Sequence, residues 1–222
     1  MNTQRIVPLG ALLLGILLLA AACAEDEEAE ELPTPTVEEV ASPTAEPTDT
    51  PSADGAAHYE NTELGFAFDY PDHWERIRVP VTAEEVGEIE TIASVVLGTI
   101  VEDTGELNGI SINVHRLEAA VPEEALDEFL LEFDGMVTQL AGQVGGALEE
   151  RDWTELGGRT ARRYVMNFPY EGLVPSTSEY VITVREEHQF ELNCQAEQER
   201  FEDVRAGCQV VFESFEFTAR SP

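Results

Sequence analysis

Lysine is absent from this 222-residue chain: all twelve basic residues are arginine, against 45 aspartates and glutamates, for a formal net charge of −33. Such a balance argues against nucleic acid as a partner, because phosphate neutralisation needs a basic surface. For the same reason it argues against electrostatic docking on anionic lipid. It favours solubility, with a self-repulsion that salt screens. Abundant acids without lysine fit a salty habitat, and a GC-rich genome accounts equally for arginine in place of lysine.

Motifs of chemistry are also missing. The four histidines, His58, His73, His115 and His188, include no pair at His-x-x-x-His spacing, so no transition-metal site is expected. His188 falls in an expected turn and His115 on the expected outward face of a strand. There is no Gly-x-Ser-x-Gly elbow, no phosphate-binding glycine loop and no dinucleotide fingerprint. Ser176 and Ser178 fall in an ordinary loop, and carboxylate pairs arise by chance among so many acids. No catalytic residue and no cofactor is assigned. The turn holding Glu102, Asp103, Glu106 and Asn108 beside Gly105 gathers oxygens, but without the alternate spacing of an EF-hand loop. It reads as a solvated hairpin, with weak calcium binding as the competing reading.

Only three cysteines occur, and the first gives an address. Met1 to Ala22 has the layout of an export signal: Arg5, then an uncharged leucine-rich run from Ile6, closed by Ala20, Ala21 and Ala22. Cys23 follows directly, and the arrangement resembles a bacterial lipoprotein signal, in which that cysteine becomes the acylated N-terminus. Leucine is preferred three places before the cysteine; Ala20 stands there, with Leu19 beside it. An uncleaved anchor and a plain secretory signal are the competing readings; the apolar run is at the short limit for a span.

Residues 24–57 contain eleven acids, no base, five prolines and five threonines. Few apolar side chains and high charge cannot offset the entropy of ordering, so a disordered tether is expected. In polyproline-like form it would reach on the order of 100 Å from the membrane. The chain therefore divides into a signal (1–22), a lipidated Cys23 with its acidic tether (23–57), and a folded domain (58–222).

Within the domain, Phe66, Phe68 and Tyr70 alternate with small or polar residues and predict a strand with one buried face, ended at Pro71-Asp72. Ile92 to Val101 is β-branched and predicts another, while Thr82 to Glu90 reads as either a helical turn or a strand. Ile110, Ile112 and Val114 alternate with polar residues. Pro122 opens a helix whose Leu126, Phe129, Leu130, Phe133, Met136, Val137 and Leu140 form one stripe, ended at Gly142, Gly145 and Gly146. A meander follows, turning at Leu156-Gly157-Gly158 and at Glu187-His188. A second helix spans Gln198 to Glu213, with Phe201, Val204, Cys208, Val211, Phe212 and Phe215 at helical spacing. The sum is an α+β plan, an antiparallel sheet packed with two main helices.

Cys194 shares a strand face with the apolar Phe190, Leu192 and Ala196, and Cys208 lies in the second helix's apolar stripe. Both sulfurs point into one interface, in a compartment where disulfides persist, so a Cys194–Cys208 disulfide is expected rather than two buried free thiols. Closing a loop of about fifteen residues contributes ~3 kcal/mol in the chain-entropy account. Arg162 and Arg163 fall on opposite strand faces, which reads as separate surface ion pairing. Trp74, Trp153 and the tyrosines read as core and rim before a carbohydrate platform.

The segments GFAFDYPDHWE (Gly65 to Glu75), LGGRTARRYVMNF (Leu156 to Phe168) and VVFESFEF (Val210 to Phe217) resemble the PsbP family and its sandwich-fold relatives, many of them bacterial lipoproteins. The resemblance spans roughly His58 to Thr218 and lies in packing motifs. PsbP itself is an extrinsic subunit supporting photosystem II; none of its cofactor-related positions matches here, so photosynthesis is not implied. The resemblance implies a non-enzymatic accessory or binding role. With the export signal, Cys23 and a tethered compact fold without polar motifs, the expectation is an accessory module for an envelope complex at the extracytoplasmic face of the cell membrane, its partners the membrane through Cys23 and an envelope protein. A surface module binding a small ligand or a cation such as calcium is the alternative, and a hydrolase a further one.

Overall fold

The computed structural model describes residues 48–51, 55–78, 90–101, 105–143, 145–169 and 174–220. The export segment, Cys23, most of the tether, the stretch 82–89, and Glu102 and Asp103 of the acidic turn lie outside the described residues.

Among the described residues, two antiparallel sheets and two α-helices make up the domain. The smaller sheet has the order β1 (Thr48–Pro51), β2 (Ala56–Asn61), β3 (Phe66–Pro71) and β11 (Glu216–Phe217). The larger has the order β4 (Glu75–Ile77), β5 (Glu90–Ile100), β6 (Leu107–Arg116), β10 (His188–Glu197), β9 (Ser176–Arg185), β8 (Arg159–Phe168) and β7 (Ala147–Leu156). A 3₁₀ turn at Glu123–Ala125 leads into α1 (Leu126–Gln143), and α2 (Phe201–Ser214) follows β10. The α+β plan with two main helices is the observed fold class.

The large sheet is covered on both faces. On one, α1 sets Leu126, Leu130, Phe133 and Val137 against Tyr164, Met166, Tyr180 and Ile182. On the other, α2 and the small sheet set Phe66, Phe68, Val211 and Phe215 against Ile110, Ile112, Phe190 and Leu192. Aromatic rings knit the second core: Phe66 stacks on Phe215 with centroids 5.8 Å apart and meets Phe190 edge-on at 5.6 Å. The alternation of Phe66, Phe68 and Tyr70 thus marks a core face, as its period requires.

Backbone pairing begins ahead of His58. Thr50 and Asp49 are ladder partners of His58 and Tyr59, and β2 starts at Ala56. Ladder hydrogen bonds join backbone groups, so a Pro/Thr-rich composition does not by itself mark where a sheet edge stops. Pro122 opens the 3₁₀ turn rather than the α-helix, which begins at Leu126. The β7–β8 turn falls on Gly157-Gly158 as expected, both at positive φ (57° and 74°), a geometry glycine adopts without steric cost. The β9–β10 turn is Glu186-Glu187, one residue earlier than expected, with Glu186 in the left-handed region at φ 59°. His188 is therefore a buried strand residue, paired with Arg185, and its ring Nδ1 lies 2.8 Å from Arg220 Nη2.

Among the described residues, no helix is long and apolar enough to cross a membrane.

Candidate functional site

The disulfide organises one side of the domain. Cys194 and Cys208 are bonded, with Cα atoms 5.9 Å apart, and both are fully buried. The bridge pins α2 to β10. Cys194 is the ladder partner of Glu179 on β9. Arg205 stands one helical turn before Cys208, so the bridge delivers its guanidinium to the Glu179 carboxylate: Arg205 Nε donates to Glu179 Oε2 at 2.9 Å. Arg163, from β8, donates through Nε to the other Glu179 oxygen. Its Nη1 reaches Glu150 and Asp152 on β7 at 2.9 and 3.3 Å. Glu179 is 3% exposed, a buried carboxylate holding two guanidinium forks in place. Beside this cluster, between the start of α2 and strands β7 to β9, lies a cavity of about 330 Å³.

Arg162, on the opposite face of β8, points to α1. It forks Asp134 through Nε (2.9 Å) and Nη2 (2.8 Å), and the Tyr164 hydroxyl donates to the same carboxylate at 3.0 Å. Arg162's hydrogen bonds, with those of Tyr164, hold the Asp134 carboxyl below its ordinary pKa. The guanidinium lies 4.7 Å over the ring of Trp153, which is 45% exposed on the edge strand β7. Trp153 is thus a rim residue with one face occupied, and Trp74 packs at the margin of the main core. Surface ion pairing describes only the outer contacts of Arg163, to the exposed Glu150 and Asp152, and not Arg162 or the bond from Arg163 to buried Glu179. Arg162 is 6% exposed and Arg163 largely buried, because each sheet face is covered by a helix.

A third cluster occupies the same face as Arg162, toward β10, β6 and β5. His115, expected outward, is buried enough for desolvation to push its pKa down to about 4. Glu191, its neighbour, is 4% exposed, and burial pushes its carboxyl up to about 7. Gln189, flanking Glu191 on that face, is fully buried with neither amide atom hydrogen-bonded. Thr91 Oγ1 lies 3.0 Å from His115 Nδ1, and His115 Nε2 lies 3.9 Å from Glu191 Oε2. This hydroxyl–imidazole–carboxylate row has the residue types of a hydrolytic triad without its electrostatics. The carboxylate is beyond hydrogen-bond reach, and an imidazole titrating near 4 is a weak base at neutral pH. Sequence reading missed the row because alternation identifies a face but not what covers it.

The other predicted positions are dispersed. His58 Nδ1 meets Asp69 at 2.7 Å and His73 stands exposed beside Asp72. Asn108 Oδ1 accepts from the backbone N–H of Glu197 at 2.9 Å. Among the described residues, no group of three or more His, Cys, Asp and Glu is placed to hold a metal ion.

No protein-family profile matches the chain, and no curated protein matches it in sequence. Solved structures do share its architecture. The solution structure of cyanobacterial PsbP (CyanoP) from Synechocystis sp. PCC 6803 superposes with a TM-score of 0.50 at 14% identity, covering 73% of this chain and 92% of that one. The crystal structure of LpqN, involved in cell envelope biogenesis of Mycobacterium tuberculosis, gives 0.44 at 12% identity, covering 78% of this chain and 90% of that one. A crystal structure from Bacteroides thetaiotaomicron VPI-5482 gives 0.42 at 17%, covering 69% of this chain and 45% of that one. At such identities the likeness concerns the fold, and the domain described here has the PsbP-like fold.

Proposed function

We propose that this chain is a lipid-anchored extracytoplasmic accessory module: exported through residues 1–22, acylated at Cys23, and presenting its domain on an acidic tether to an envelope protein partner. The observation that carries this reading is the PsbP-like fold, matched over most of a cyanobacterial PsbP domain. Fold likeness is an analogy, and the activity has to be argued from the sites. The sites support a non-enzymatic role. The strongest ionic clusters, Asp134–Arg162–Tyr164 and Arg163–Glu179–Arg205, tie helices to the sheet. The Thr91–His115–Glu191 row lacks a competent base. Cross-linking of the intact lipidated chain in its own membranes, followed by capture and mass spectrometry, tests the reading. A single stoichiometric envelope protein cross-linked through residues of 55–220 is the expected result; a chain that cross-links to nothing contradicts it.

One observation favours the alternative of a small-ligand module. The cavity beside Arg163 and Arg205 is of ligand size and lined by converging polar groups.

A further inference from the structure

In a chain with twelve arginines against 45 acids, two guanidinium groups converge on one cavity. Arg163 and Arg205 each commit Nε to Glu179, and Arg163 commits Nη1 to Glu150 and Asp152. Arg205 Nη1 keeps only a loose approach of 3.8 Å to Glu202. Among the described residues, neither arginine's Nη2 has a hydrogen-bond partner. Two further amides line the same cavity. Asn167 uses its Oδ1 to accept from Thr177 Oγ1 at 2.8 Å, which leaves its Nδ2 free to donate, and the Gln198 side chain is unengaged. The result is a wall of N–H donors held in position by a buried carboxylate.

Charge narrows the class of ligand. Glu179 accepts from both guanidinium groups, and Glu150 and Asp152 accept from Arg163, so the arginine wall carries no net positive charge; what it offers a carboxylate is its Nη2 donors and the two amides. Glu150 and Glu202 line the cavity as well, and both are exposed. A simple anion meets these acids and the field of a −33 chain. A simple cation meets two arginines. A molecule bearing both charges satisfies both walls. The volume, about 330 Å³, is at the low end for ligand sites, which run ~300–1,000 Å³.

We propose that this cavity binds a small zwitterionic solute of the amino-acid type, its carboxylate on Arg163 and Arg205 and its ammonium group toward Glu150 and Glu202. The site goes beyond the accessory role and is independent of it, because it needs neither acylation at Cys23 nor a protein partner. Arg205 and Arg163 are the specificity-determining residues, and Glu179 positions them.

The test is equilibrium dialysis of the intact, disulfide-bonded chain against an equimolar mixture. The mixture holds the twenty proteinogenic amino acids with the carboxylic acids and the amines that result from deleting either charged group, and mass spectrometry reads retention. Retention of one or more amino acids, with none of the singly charged analogues, is expected. Arg205→Gln lowers that retention at least tenfold, while Arg159→Gln, whose guanidinium meets Glu123 and a backbone carbonyl away from the cavity, leaves it unchanged. Should Arg205→Gln fail to fold, the exposed pair Glu150→Gln and Glu202→Gln serves: it weakens amino-acid retention without abolishing the thermal transition. Retention of acids alone, of amines alone, or of nothing overturns the proposal, as does wild-type retention by folded Arg205→Gln. Failed cross-linking to an envelope protein would leave this result untouched, so the two readings fail separately.

Discussion

Arg205 donates to Glu179 at 2.9 Å one helical turn from the Cys208 sulfur that bonds Cys194, and Cys194 is itself the ladder partner of Glu179. The disulfide and the ion pair are adjacent clasps between one helix and one pair of strands. Each holds the geometry that the other needs.

Cutting the covalent clasp should therefore weaken the ionic one. Cys194→Ala with Cys208→Ala lowers stability by ~3 kcal/mol through the loop-entropy effect. Arg205→Ala costs less in that background than in the bridged protein, by ~0.5 kcal/mol or more, since neighbouring sites are not additive. Urea denaturation of the four proteins in the cycle measures both. Strict additivity would show that the clasps act separately.

Arg162 is a buried fork, and its geometry should matter more than its charge. Arg162→Lys keeps the charge but not the two parallel bonds to Asp134, and loses ~1–3 kcal/mol. Arg162→Ala leaves the Asp134 carboxylate, 17% exposed, with only the Tyr164 hydroxyl and a longer approach from Arg151, and costs more than the lysine change, ~3 kcal/mol. Denaturant midpoints decide it. A lysine variant as stable as wild type would return Arg162 to the surface ion pairing that the sequence suggests.

His115 and Glu191 make opposite contributions to stability across the acid range. Burial lowers His115 from 6.5 to about 4, so its contribution is lost as pH falls from 6.5 toward 4. Burial raises Glu191 from 4.5 to about 7, so its contribution is lost as pH rises from 4.5 toward 7. Together they nearly cancel between 4.5 and 6.5. Glu191→Gln should expose the histidine: relative to wild type, stability falls on acidification through that window, by on the order of 3 kcal/mol. His115→Asn should do the reverse, losing stability relative to wild type as pH rises. Chemical denaturation at several pH values reads both slopes, and parallel profiles for all three proteins would contradict the burial of the pair.

Self-repulsion in a domain (58–222) with 34 acids and 11 arginines, a net charge of −23, predicts that neutral salt stabilises it. Raising ionic strength from ~0.01 M to ~1 M shortens the Debye length from about 30 Å to about 3 Å. The melting temperature should rise across that range in sodium chloride. A fall would mean that the arginine ion pairs outweigh the repulsion.

Much of this architecture was legible in the sequence, for a physical reason. Period-two alternation at Phe66–Tyr70 and at Ile110–Val114, and three-and-four spacing from Leu126 to Leu140, each specify an element together with the face it buries. The disulfide was legible because both cysteines sit on such faces. What covers the second face of a strand is not written in its own alternation. His115 on β6 reads as outward-facing and is buried beside Glu191 of β10. Arg162 and Arg163 read as surface charges and are received by structure on opposite sides of the sheet. The cavity was illegible for a related reason: its lining comes from β7, β8, β9 and α2, which the Cys194–Cys208 bridge and the ladders gather only in three dimensions.

We propose that Cys23 anchors this domain to the outer side of a membrane. Metabolic labelling with an alkyne fatty acid, followed by membrane fractionation and external protease treatment of intact cells, tests it in wild type and in Cys23→Ser. Wild type is expected to be labelled, to sediment with membranes and to be protease-accessible once any outer barrier is permeabilised, and Cys23→Ser to be unlabelled and no longer held by lipid. An unlabelled wild type, or a Cys23→Ser protein as fully membrane-bound as wild type, would contradict it.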